Sequence, residues 1–263
     1  MSETLPLFPL SAVLFPGMRL PLHIFEERYR TLVADLLAMP EPRRFGVIAI
    51  RKGREVGADA VTSLHEIGCI AQLRQVTPDA DGKYDLQTVG TDRFRLLRIE
   101  RPGKTPYFRA EIEILADADI AADAEPGNTA PGKTGSGKAR PADAGPANAG
   151  PHDTGPHDAG RVAIGVVVRQ VQAGFRGYLN ALADRGGGVI SVADLPDEPI
   201  LLSYVVGAAM IIDLPERQSL LAAPDALTRL RLERSLLSRE TAMLHVTTSR
   251  PAPDYDFEQF SPN

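Results

Sequence analysis

From Leu5 to Arg30 the chain reads LPLFPLSAVLFPGMRLPLHIFEERYR, four prolines set among large apolar residues. Each proline removes a backbone donor, so the stretch predicts short pieces rather than one helix or a central strand. Leu10, Ala12 and Leu14 alternate with Ser11, Val13 and Phe15, which predicts a short buried strand between Pro9 and Pro16. Pro16 and Gly17 then suit the central positions of a type II turn. From Ile24 the period becomes helical: Phe25, Tyr29, Leu32, Val33, Leu36 and Leu37 share a face, with Glu26 and Glu27 in the first turn, where the helix dipole favours negative charge.

Beyond this helix the pattern is mainly β up to residue 115. Phe45 to Ile50 predicts a strand. Ile67 to Val76 and Tyr84 to Thr88 flank the turn-forming run Pro78-Asp79-Ala80-Asp81-Gly82 and predict a hairpin. Phe94 to Ile99 follows Gly90, and Phe108, Ala110, Ile112 and Ile114 alternate with Arg109, Glu111 and Glu113. Several short strands with one early helix predict a small closed or nearly closed barrel, because closure removes exposed edges.

Residues 116–160 are rich in Ala, Gly, Pro and Asp and include the tandem pair Gly-Pro-His-Asp-Thr and Gly-Pro-His-Asp-Ala. So little apolar surface cannot offset the entropy of ordering, which predicts a disordered linker. Helical spacing returns with Val162, Val166, Val171, Phe175, Tyr178 and Leu182, ending at Gly186-Gly187-Gly188. Pro199 opens a second helix with Asp197 as its expected cap, and Asp213-Leu214-Pro215-Glu216 reads as a capping-box variant before a third. Pro224 opens a last helix carrying Leu227, Leu230, Leu237 and Leu244, so residues 161–248 are expected to form a small helical bundle, with 249–263 as a flexible tail.

Composition narrows the class. A 263-residue chain with 43% hydrophobic residues can build a real core. The N-terminus lacks a basic region followed by an unbroken apolar run, so no signal peptide is predicted. No apolar run reaches the ~20 residues a bilayer needs. Cys69 is the single cysteine, which excludes an intrachain disulfide and a multi-cysteine metal site and fits a reducing cytoplasm. It is read as a buried strand residue.

The residues that carry a family resemblance are Pro6-Leu7-Phe8-Pro9-Leu10, Leu14-Phe15-Pro16-Gly17, Leu20-Pro21-Leu22, Ile24-Phe25-Glu26 and Arg28-Tyr29. Together they resemble the opening of the substrate-binding domain at the N-terminus of Lon proteases. Gly90-Thr91-Asp92-Arg93-Phe94-Arg95 and the run from Asp213 to Leu221 resemble the same domain further on. The resemblance implies an α+β fold, a PUA-like β pseudo-barrel over residues 1–115 followed by the helical bundle, with 116–160 as an insertion. It also implies recognition of exposed segments of unfolded or tagged proteins.

Lon's ATPase and Ser/Lys protease modules would follow the helical region, after the last residue of this chain. The expectation is therefore a free-standing, non-catalytic protein- or peptide-binding module in the cytoplasm, with no cofactor or metal and no membrane association. It would serve substrate recognition or act as an adaptor in proteolysis or quality control, with a protease or chaperone as partner. Barrel and bundle should leave a cleft. Phe15, Met18, Tyr29 and Phe94 are the candidate apolar contacts, and Arg93 and Arg95 the polar ones; core packing is the plainer role for each of the apolar four.

Other motifs weigh less. Gly127 to Thr134 satisfies the phosphate-loop pattern, but no strand precedes it and helix breakers follow, so no nucleotide binding is expected. His152 and His157, each followed by Asp, lack preset geometry for a metal, and His23 reads as a polar residue before the first helix. No nucleophile elbow and no H-E-x-x-H run is present. RNA binding is the alternative function, through Arg51, Lys52, Arg54, Arg93, Arg95, Arg98 and Arg101. Against it, the first 115 residues hold 16 Lys+Arg and 15 Asp+Glu, not the basic excess of a nucleic-acid domain.

Overall fold

The structure, a computed structural model, describes residues 2–54, 61–100, 105–117, 156–186 and 194–248. Seven strands come first: β1 (Ser2–Leu10), β2 (Arg19–Ile24), β3 (Arg44–Gly53), β4 (Val61–Leu64), β5 (Ile67–Pro78), β6 (Tyr84–Glu100) and β7 (Arg109–Leu115). Neighbours run β1-β7-β6-β5-β3, and a parallel pairing of β1 with β3 closes these five into a ring. β2 pairs with β6 and β4 with β3, both outside the ring.

The prolines fit this ring by position. β1 pairs antiparallel with β7 through residues 2–6 and parallel with β3 through residues 7–10. Strand amides point to alternate sides. Leu7 donates its N–H to the Phe108 carbonyl at 2.8 Å, so Leu5 and Leu7 serve β7 while Pro6 points away from it. Phe8 and Leu10 then serve β3, and Pro9 points away from that strand. The strand changes neighbour between its two prolines, and neither missing donor is called on.

On β2, Gly90 N–H donates to the Met18 carbonyl at 2.9 Å, which sets Leu20, Leu22 and Ile24 toward β6. Arg19, Pro21 and His23 therefore turn their backbone groups outward. The expected strand between Pro9 and Pro16 is not formed: Ser11 to Phe15 connect β1 to the turn, and Val13, Leu14 and Phe15 are buried by packing rather than by a ladder. Met18 N–H donates to Phe15 O at 3.1 Å across Pro16-Gly17, with Gly17 at φ +78°, the geometry of a type II turn.

Leu5, Leu7, Ile48, Ile70, Phe94 and Ile112 fill the ring. Alternate residues of the same strands face outward and are covered by α1 (Glu27–Ala38), whose Tyr29, Leu32, Val33 and Leu36 pack on Phe8, Phe45, Val47 and Leu86. Phe25 lies before the helix and is 52% exposed, so it does not join the buried stripe expected of it.

The second lobe comprises α2 (Pro156–Gly186), α3 (Pro199–Ala209), α4 (Leu214–Ala222) and α5 (Ala226–Thr248). α2 begins inside the stretch expected as linker, so residues 156–160 are helical. Residues 118–155, with the phosphate-loop pattern, His152 and the first part of the tandem repeat, lie outside the described residues, as does the segment after Thr248. Glu198, not Asp197, caps α3 through Ile200 N–H and Leu201 N–H; Asp197 instead accepts from Gln172 Nε2 at 3.0 Å and ties α2 to the start of α3. Asp213 caps α4 through Glu216 N–H at 2.8 Å, as its sequence motif predicts. Asp225 performs the same task for α5 through Thr228 N–H at 2.7 Å. Val168, Val171, Phe175, Leu202, Val206, Leu230 and Leu237 form the core of this lobe.

Candidate functional site

Among the described residues, most of those expected to contact a peptide meet their neighbours at a slot at the open edge of the barrel and at the seam between the lobes. The slot lies between the end of β1 and the outer edge of β2, where no strand of the described residues joins them. Phe8, Leu10, Leu22, Ile24 and Tyr29 line it, Pro9 and Pro21 stand on its two rims, and it encloses about 200 Å³. Phe8 and Tyr29 stack at 4.1 Å between ring centroids, and the Arg28 guanidinium lies 4.4 Å over the Tyr29 ring, so the floor is rigid. Exposed Phe25 rises beside it, stacked at 6.3 Å on His23, whose Nδ1 is 2.8 Å from Asp85 Oδ1. An apolar floor beside an unpaired strand edge can accept an extended chain.

The seam is closed. Val13, Phe15, Ala49 and Ile67 of the barrel pack on Tyr204, Leu220 and Leu221 of the helical lobe. Around them runs a polar network: Arg93 donates to Leu221 O at 3.0 Å and Ala223 O at 2.5 Å, and Gln218 Nε2 donates to Ile67 O at 2.9 Å. Asp117 accepts from Arg93 at 2.6 Å, from Arg229 at 2.9 Å and from the Tyr204 hydroxyl. Burial first, and then the hydrogen bond to Asp117, push the Tyr204 phenol well above its usual range; Arg229, 4.2 Å over its ring, acts in the other direction. Among the described residues Arg93 Nε alone of the donors named here lacks a partner; the others are engaged, so the seam holds the lobes together.

The six residues expected to contact a peptide divide between these places. Tyr29 lies in the slot floor. Phe15 is enclosed in the seam, and Met18 is half-buried beside it. Phe94 is enclosed in the ring, Arg93 is bound into the seam network, and Arg95 is exposed and paired with Glu113 at 3.0 Å. Arg98 likewise pairs with Glu111 and Glu100, so this strand face is a charge-balanced surface rather than a basic patch. Sequence reasoning missed Asp117, Arg229 and Glu233. Their signal was present: Arg229 and Glu233 sit on the same helical stripe as Leu230 and Leu237, where charge is out of place.

Comparison with known proteins bears on the whole chain. The profile of the ATP-dependent protease La (LON) substrate-binding domain matches residues 4–239. The chain belongs to the Lon substrate-binding domain family. It is 30% identical over 122 residues, 46% of its length, to a Lon protease of Anaeromyxobacter dehalogenans, and 21% identical over 246 residues, 93% of its length, to Lon protease 2 of Myxococcus xanthus. These matches cover 14% and 24% of those relatives, so the chain spans at most about a quarter of their length.

The same fold occurs in a Lon N-terminal domain protein from Xanthomonas campestris, with a TM-score of 0.51, 22% identity, and coverage of 90% of this chain and 98% of that one. The N-terminal domain of a Mycobacterium avium complex Lon protease gives a TM-score of 0.53 at 16% identity, covering 91% and 98%. Among the described residues no helix is long and apolar enough to cross a membrane.

Proposed function

We propose that this Lon-type domain binds extended segments of other proteins at the slot between β1 and β2, and performs no catalysis of its own. The observation that carries the reading is the outer edge of β2, unpaired among the described residues and set beside an apolar slot with Phe25 exposed at its margin. An extended segment would take backbone hydrogen bonds from the edge and place side chains on the floor of Phe8, Leu22 and Tyr29. The family to which the chain belongs supports protein segments as the ligand. Passing a bound segment to a protease or chaperone partner is the cellular role this reading favours.

The test is calorimetric titration of the full chain with peptides from unfolded proteins, repeated with Phe25→Asp. Phe25 is half exposed, so the substitution should leave stability within about 0.5 kcal/mol while weakening binding at least several-fold. Absence of binding at high micromolar peptide, or an affinity unchanged in Phe25→Asp, overturns the reading.

A further inference from the structure

The rims of the slot are chemically lopsided, because each carries a proline whose missing donor faces the slot. On β1, Phe8 and Leu10 serve β3, so Pro9 turns the other way and offers a carbonyl with no N–H. On β2 the outward residues are Arg19, Pro21 and His23, which offer three carbonyls and two N–H groups. An ordinary strand edge presents one donor for each acceptor. Of these outward residues, Pro9, Pro21 and His23 line the slot and offer three carbonyls to one amide, with both missing donors at prolines. The polar side chains at the margin do not restore the balance: Glu26 and Asp85 are acceptors, and the groups beside them are engaged, Arg28 with Glu26 at 3.0 Å and His23 with Asp85 at 2.8 Å.

A ligand strand laid here in full would leave its own carbonyls facing proline rings, and an enclosed carbonyl without a donor costs about 1–3 kcal/mol. A group that brings donors and no acceptor meets no such penalty. The volume points the same way, since about 200 Å³ is below the ~300–1,000 Å³ of sites that enclose drug-sized ligands and suits one long side chain.

We propose that the slot selects protein segments carrying an arginine or lysine beside an apolar residue, the cationic donors meeting the carbonyls of Pro9 and Pro21 while the apolar side chain covers Phe25 and the slot floor. This rests on the segment-binding reading above. It adds the chemistry that discriminates one segment from another: the aliphatic stem of the cation packs on Phe8, Leu10 and Leu22, and its head takes acceptors that no neutral apolar side chain can use. An acidic side chain in the same place would add acceptors to a site that already has too many, so rejection is built into the rims as well as attraction.

The experiment uses the full chain and three peptides identical except at a central position, which is arginine, norleucine or glutamate, next to a leucine. Calorimetry should rank arginine tightest, about ten-fold over norleucine, as expected for a hydrogen bond to a charged group, with glutamate weakest. Pro21→Ala restores an N–H on the rim and should shrink the arginine-over-glutamate preference several-fold, with a thermal melt confirming that the variant is folded. Equal affinity for arginine and norleucine peptides overturns the inference while leaving segment binding in place. If none of the three binds, the underlying reading fails and the inference with it.

Discussion

Arg93 and Asp117 meet at 2.6 Å inside the seam, joining β6 to the segment just after β7. The same carboxylate oxygen takes Arg229 of α5 at 2.9 Å, and the other takes the Tyr204 hydroxyl of α3. Arg93 also holds the carbonyls of Leu221 and Ala223 at the end of α4. One carboxylate thus fixes a strand and two helices, and through Arg93 a third. The slot is coupled to this clamp by the chain itself, since Phe15, packed in the seam, is separated from β2 only by the Pro16–Met18 turn.

Removing Asp117 leaves two guanidiniums enclosed without a counter-charge. Asp117→Ala is expected to destabilise the chain by about 3–5 kcal/mol, the usual cost of breaking a buried pair from one side. Asp117→Asn retains hydrogen-bonding atoms and should fall between this variant and the parent. Urea midpoints for the three proteins check both statements; a midpoint for Asp117→Ala within error of the parent's removes the clamp from the account.

Glu233 supplies a pH dependence. Its carboxylate is fully buried and, among the described residues, neither oxygen has a hydrogen-bond partner; burial raises its pKa well above the ordinary carboxylate value, and Arg229 opposes this but is already committed to Leu220 O, Ser203 Oγ and Asp117. A folded pKa above the unfolded one means that the folded state holds the extra proton. The contribution is therefore complete below the unfolded carboxylate range and is lost as pH rises through the raised folded value. Glu233→Gln removes the titration. Parent and variant should be closest in stability at acidic pH and diverge as pH rises, with the parent losing ground, in urea melts collected from pH 5 to 9. A constant difference across that range excludes this role for Glu233.

The fold was legible wherever period alone decides. The hairpin of β5 and β6, the alternation of β7, the Pro16-Gly17 turn and the Asp213 cap all follow from local residue chemistry. β1 was not, because Pro6 and Pro9 are tolerable only if their donors fall off the ladder, and that depends on which neighbour lies on each side. The site was less legible still. Arg93 looks like a surface contact in a motif, yet its partners Leu221, Ala223 and Asp117 come from distant or apparently featureless segments. The slot is defined by the directions of backbone groups, which composition does not encode.

Gly68 is a tight point in the wall of the ring. A Cβ there would overlap the Phe94 ring and press on the Val47 carbonyl at 2.5 Å. The ring is enclosed and cannot swing away, so Gly68→Ala should cost about 1–3 kcal/mol, as overpacking does in well-packed cores. Phe94→Leu removes the contact with the ring but leaves the one with the Val47 carbonyl. Combined with Gly68→Ala it should cost less than the sum of the two single changes, a coupling of about 0.5–3 kcal/mol. Strict additivity in the double-mutant cycle means that the two residues do not touch.

Cys69 reports on the same wall of the barrel. It has no exposed surface, and its thiol points at the Ile70 carbonyl at 3.6 Å. Burial, the largest influence on it, holds the thiol far above its usual range, while the Thr91 backbone and Arg93 only moderate the effect. The reactive species is the thiolate, which must also be reached by the reagent, so both requirements fail in the folded state. Ellman's reagent at pH 8 should leave native protein unmodified over the minutes in which urea-unfolded protein reacts fully. As the sole cysteine, its slow native labelling measures opening of the barrel, and the rate should rise in Gly68→Ala in step with the lost stability. Equal labelling of native and unfolded protein would show that Cys69 is not enclosed between β5 and α1.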